Sequence, residues 1–183
     1  MTDVWAQLAG SIVLGWLVHH LPRMADRAIF AYAIGALLVF GGALVGWVFA
    51  GLWIAVLAPF GTMLPVLCLS GSARRAGWID PPALRWWELL VAAGLMLLVV
   101  LGAGGVIPIH PYGWFYGGAG PAALAVLLGI YALWRGYHAI LIAVVLAQVM
   151  WLTDSGSSNL YDHLAHLLLI PAAIVSAMMR RVR

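Results

Sequence analysis

Apolar residues in this chain come in long runs that are apolar on every side, separated by short polar or aromatic connections, and no run keeps a polar face. A helix of a water-soluble domain needs such a face, so these runs belong where the outer surface meets lipid. A span needs about 20 apolar residues, with roughly 17 as a lower limit. That ruler predicts spans at Val4–Leu21, Ala28–Phe49, Leu52–Ser70, Trp87–Ile107, Gly120–Trp134, Tyr137–Leu152 and Leu160–Met179. The fifth and sixth are short, so six spans, or five plus a re-entrant hairpin, stand as alternatives. The predicted fold is all-α, a polytopic transmembrane helix bundle of about seven spans, with residues 1–183 forming a single integral membrane domain.

Arginine tests this layout independently, because short cytoplasmic loops collect basic residues and translocated loops do not. With the N-terminus outside and the C-terminus cytoplasmic, Arg23, Arg27, Arg74, Arg75, Arg85, Arg135, Arg180, Arg181 and Arg183 all fall inside. The outer connections, around Ala50–Gly51, Pro108–Ala119 and Thr153–Asn159, carry no basic residue. Tryptophan agrees, since the indole ring sits best at the headgroup level. Trp5, Trp47, Trp53, Trp114 and Trp151 fall at the outer boundary, and Trp16, Trp78, Trp86, Trp87 and Trp134 near the inner one. They read as anchors. The aromatic outer loop from His110 to Gly118 is uncharged and is expected to lie back against the bundle.

Composition strengthens the membrane reading: 65% of residues are hydrophobic and 8% charged, with mean hydropathy +1.04, more apolar than a water-soluble domain of this size tolerates. The net charge of +3 comes from arginine clusters and not from a basic face, which excludes a nucleic-acid footprint. The single cysteine, Cys68, lies in an apolar run and excludes an intramolecular disulfide. The N-terminus carries Asp3 and no positive n-region, so the first apolar stretch is expected to remain as a span. Arginine without lysine, in an alanine- and glycine-rich chain, suggests a GC-rich bacterial source and hence the inner (plasma) membrane.

Ionisable groups in or beside spans are costly and are the first place to look for function. They form two layers. The inner one holds His19, His20, Glu88 and His138; the outer one holds His110, Asp154, Asp162, His163 and His166. In the outer layer a helix opening at Tyr161 would put Asp162 and His166 on one face and His163 beside His166. Asp162, His163 and His166, completed by His110 or Asp154, are thus candidate metal ligands, and Asp154, Asp162, His163 and His166 candidate catalytic residues. The plainer reading has Asn159 as an N-cap and Asp162 favoured by the helix dipole. In the inner layer, His19 or His20 facing His138 could hold a b-type haem on two helices. Neither cofactor is predicted over the plain reading.

Absences exclude several classes. There is no lysine for a retinal Schiff base, no phosphate-binding glycine loop with its lysine, and no pair of aspartates inside spans. Ser155-Gly156-Ser157 lies in a loop and not in a span. Mid-span side-chain polarity is confined to Thr62 and Gln148. Gly41, Gly42 and Gly46 give the second span a Gly-xxx-Gly pair that permits close helix approach, within the chain or to a protein partner. The expected function is a non-enzymatic subunit or accessory protein of a larger membrane complex. A small-molecule permease is the alternative, and a membrane enzyme using the outer His/Asp group the second alternative.

Overall fold

The computed structural model describes residues 2–24, 26–42, 61–80, 82–117, 119–154 and 157–181. These residues hold eight α-helices and no strand: α1 (Thr2–His19), α2 (Ala28–Ala36), α3 (Met63–Arg75), α4 (Trp86–Ala103), α5 (Ala119–Arg135), α6 (His138–Leu152), α7 (Leu160–Leu164) and α8 (Leu169–Arg181). A π turn, Leu37–Gly41, continues α2, and a 3-10 turn, Pro111–Phe115, lies between α4 and α5. Of the expected second and third spans, the parts beyond Gly42 and before Gly61 lie outside the described residues, Gly46 among them.

Proline and glycine punctuate the helices. Pro65, Pro121 and Pro171 are each the third residue of a helix, α3, α5 and α8 respectively. Proline has no N–H to donate and its ring crowds the preceding turn, so it is accepted in the first turn, where no intrahelical bond is made. At the other end, α3, α4 and α5 stop alike. Gly77, Gly105 and Gly136 adopt φ of +73°, +69° and +69°. The next N–H then reaches back over the glycine, Trp78 to Ala73 O at 2.9 Å, Val106 to Leu101 O at 2.9 Å and Tyr137 to Ala132 O at 2.8 Å. Only glycine adopts this left-handed turn without strain, and the reach-back bond satisfies a carbonyl the helix would leave bare.

The last expected span, Leu160–Met179, is not one helix. Helix α7 ends at Leu164, Ala165 is extended (φ −100°, ψ 156°), and α8 begins at Leu169. A break inside an apolar bundle frees backbone groups that need partners. Three are found locally: Thr62 N–H donates to His163 O at 2.6 Å, Leu168 N–H to His166 Nδ1 at 3.1 Å, and Leu169 N–H to His166 O at 2.9 Å. Gly61 lies against the break so closely that a Cβ there would collide with the Ala165 carbonyl. Thr62, fully buried, also donates its hydroxyl to Ala143 O at 2.7 Å, so one residue joins α3, α6 and α7.

The packing order follows from the small residues. Helix α1 packs against α2 and α3, α3 against α6, α6 against α5 and α7, and α4 against α8. Between α1 and α2 the approach is set by Gly15 and Gly35; a Cβ at Gly35 would lie 2.5 Å from Ser11 O and 2.6 Å from Gly15 N. Alanines fill much of the remaining interior: Ala6 and Ala9 meet Leu64, Cys68 and Leu169, Ala147 meets Leu160 and Leu164, and Ala93 and Ala173 meet Ile170. Large apolar side chains such as Ile29, Leu37, Leu127, Trp134 and Leu152 point outward instead.

Among the described residues, one helix, α4, is long and apolar enough to cross a membrane. Its 18 residues rise about 27 Å at ~1.5 Å each, close to the ~30 Å of a hydrocarbon core. Five shorter apolar helices accompany it, Val4–His19, Ala28–Gly41, Ala119–Arg135, His138–Leu152 and Leu169–Met178.

The Gly35 contact is directly testable. Gly35→Ala pushes a methyl into the α1 backbone and is expected to cost about 1–3 kcal/mol, as overpacking does. Gly94→Ala on α4, where a Cβ meets nothing within 4 Å, is expected to be neutral or to stabilise by up to ~1 kcal/mol. Unfolding temperatures of the two variants in a mild detergent check the contrast.

Candidate functional site

At one end of the bundle the loop between α4 and α5 folds back onto α4 and α7. His110 Nδ1 donates to Gly102 O at 3.2 Å, and Gly102 leaves the space for this approach, since a Cβ there would lie 2.6 Å from Ile109 O. The following 3-10 turn sets Tyr112 against Tyr161, with ring centroids 6.1 Å apart, and stacks Phe115 on Tyr161 at 6.0 Å. The aromatic loop therefore lies back against the bundle.

Tyr112 also delivers the polar centre of this end. Its hydroxyl donates to Asp162 Oδ2 at 2.6 Å, and the Ser157 hydroxyl donates to the same oxygen at 2.6 Å. Burial pushes the Tyr112 phenol up from its ordinary range, and the hydrogen bond to Asp162 and that carboxylate's charge push it further, so it remains a hydrogen-bond donor. Asn159 caps α7, its Oδ1 accepting Tyr161 N–H at 2.8 Å while its Nδ2 donates to Tyr112 O at 2.9 Å.

The histidines turn to separate tasks. His163 is buried with Nε2 2.6 Å from Ser157 O; a carbonyl only accepts, so Nε2 carries the proton. His166 Nδ1 accepts Leu168 N–H and is therefore bare. Because α7 stops at Leu164, Asp162 and His166 do not share a helix face as the i, i+4 spacing suggests, nor do His163 and His166 form an i, i+3 pair. Asp154 stands exposed in the turn after α6, with φ +49°. Among the described residues no three His, Cys, Asp or Glu side chains converge on a point where a metal ion could sit. Ser157 is likewise not paired for nucleophilic attack: its hydroxyl goes to Asp162, and His163 goes to its carbonyl.

At the other end, Glu88 near the start of α4 is buried and carries four contacts. It accepts from Tyr131 OH at 2.6 Å, Tyr137 OH at 2.7 Å and Arg85 N–H at 2.5 Å, and pairs with Arg135 Nη2 at 2.9 Å. Arg135 also donates to Tyr137 OH at 2.9 Å. The glycine turn at Gly136 brings Arg135 and Tyr137 to the same carboxylate, tying the α5–α6 connection to α4. Sequence reasoning singles out Glu88 but misses Tyr131 and Tyr137, and takes Arg135 only as a marker of sidedness. The signal that finds them is that a carboxylate in an apolar helix demands a cation and donors at its own depth.

The haem candidates have different neighbours. His20 lies over Trp16, ring centroids 4.4 Å apart, with Nδ1 donating to Trp16 O at 2.9 Å, and buried His19 lies edge-on to His20 at 5.8 Å. His138 opens α6 and lines a cleft against α3.

The turn that His166 closes ahead of α8 predicts a graded response. His166→Ala removes the acceptor for Leu168 N–H and is expected to lower stability by about 1 kcal/mol, while His166→Asn, whose side-chain oxygen accepts from the N–H two residues on in an Asx turn, retains most of it; thermal unfolding of both variants measures the difference. Compared with known protein families, with curated proteins and with solved structures, the chain shows no match in any of the three.

Proposed function

We propose that the chain is a multi-pass protein of the bacterial inner membrane, N-terminus outside and C-terminus cytoplasmic, that serves as a non-catalytic subunit or accessory protein of a larger membrane assembly. The seven-span arrangement is part of this reading. It is supported by the distribution of side-chain size: the helix contacts are made largely by small residues such as Ala9, Gly15, Gly35 and Ala147, and many large apolar ones face outward, a pattern suited to lipid on the outside and close van der Waals packing within.

The observation that carries the non-catalytic reading is where the ionisable side chains go. Glu88 holds α4 to the α5–α6 turn, Asp162 holds the aromatic loop to α7, and His166 closes the turn that leads into α8. Each is engaged in joining segments of the fold. Partners would be met on outward helix faces carrying a glycine with open space above it, such as Gly94 on α4 and Gly129 on α5. A permease is the second reading, favoured by the interrupted helix α7–α8, since broken helices in membranes line substrate paths in some transporters.

Purification of the tagged full-length protein from its native membranes in a mild detergent, followed by mass spectrometry, separates the two. The subunit reading predicts stoichiometric companion proteins. A chain that elutes alone overturns it, and transport of small neutral solutes by reconstituted vesicles then tests the permease.

A further inference from the structure

A cleft of about 140 Å³ opens between the C-terminal half of α3 and the start of α6. At ~30 Å³ per water it has room for four or five waters, enough for a phosphate group. One part of its wall is polar, with Ser70, Arg74 and His138; the other is apolar, with Leu67, Leu84 and Ile140. Its charge balance is one-sided. No carboxylate is among its lining residues; Glu88, hydrogen-bonded to the lining residue Tyr137, is already neutralised by Arg135 at 2.9 Å, and Asp80 is exposed two residues before the lining Pro82. Arg74 and His138 both line the cleft and are exposed.

We propose that this cleft binds the phosphate of an anionic phospholipid, with Arg74 and His138 as its ligands. A guanidinium matches phosphate oxygens in two parallel hydrogen bonds, and the imidazole and the Ser70 hydroxyl supply further donors. The apolar wall suits the glycerol and first acyl carbons that follow such a headgroup. The choice of a lipid over a soluble phosphate rests on the membrane reading above, in which this end of α3 and α6 lies at the cytoplasmic headgroup level, where basic pockets between helices take anionic lipids.

The test uses the full-length protein in a neutral detergent, with native mass spectrometry counting bound phospholipid. Phosphatidylglycerol is expected to be retained at one molecule per chain and phosphatidylcholine much less. Arg74→Gln with His138→Gln is expected to weaken phosphatidylglycerol retention tenfold or more. Arg75→Gln, which removes one charge from the same helix outside the cleft, is expected to leave it unchanged. Equal retention of both lipids, or equal loss with Arg75→Gln, overturns the site. Displacement of the lipid by equimolar inorganic phosphate keeps the phosphate chemistry and overturns the lipid as its source. Sedimentation with membranes after an alkaline carbonate wash is measured alongside: a carbonate-resistant protein without the lipid preference refutes the cleft alone, whereas a protein released by carbonate refutes the membrane reading.

Discussion

Backbone groups freed by a break in an apolar bundle need partners, and the way this chain meets that constraint at Ala165–Leu168 organises what surrounds it. Thr62 brings the start of α3 to the break by donating to His163 O and reaches α6 through its hydroxyl, while His166 closes the turn ahead of α8 by accepting Leu168 N–H. Gly61 is required for the approach, since any side chain there meets the Ala165 carbonyl. Three segments distant in sequence are thus fixed by donors and acceptors that would otherwise be unsatisfied at several kcal/mol each.

The two ends of the bundle repeat the logic with side chains. Asp162 collects Tyr112 and Ser157; Glu88 collects Tyr131, Tyr137 and Arg135. In each case one carboxylate, buried at Glu88 and half-buried at Asp162, draws in hydroxyls from a loop or a neighbouring helix. Between these ends the contacts are made by alanine and glycine against leucine, isoleucine and valine, which hold by close packing and give little direction. The polar joints supply the direction. That division supports a structural role for groups which, taken singly along the chain, resemble candidates for catalysis or metal binding.

Much of the architecture is legible in the sequence because runs that are apolar on every side are unmistakable: the helical class, the fold-back of the aromatic loop and the Asn159 cap can be argued from residue types alone. The ends and breaks of helices are harder, since a run that is apolar all round has no periodicity to lose. Leu160–Met179 reads as one span for this reason. The missed clue is Pro171, which as the third residue of α8 marks a first turn, as Pro65 and Pro121 do in α3 and α5. The Glu88–Arg135 pair was hidden differently, because 47 positions (88 to 135) separate its members and only the glycine turn at Gly136 shows which way the second helix returns.

The most direct measurement of the account is cysteine accessibility across the membrane of intact cells. In a Cys68→Ala background, a membrane-impermeant maleimide is predicted to label Ser157→Cys from outside, and Arg75→Cys only after the membrane is permeabilised. Labelling of both positions from the same side would contradict the multi-pass arrangement on which the functional reading stands.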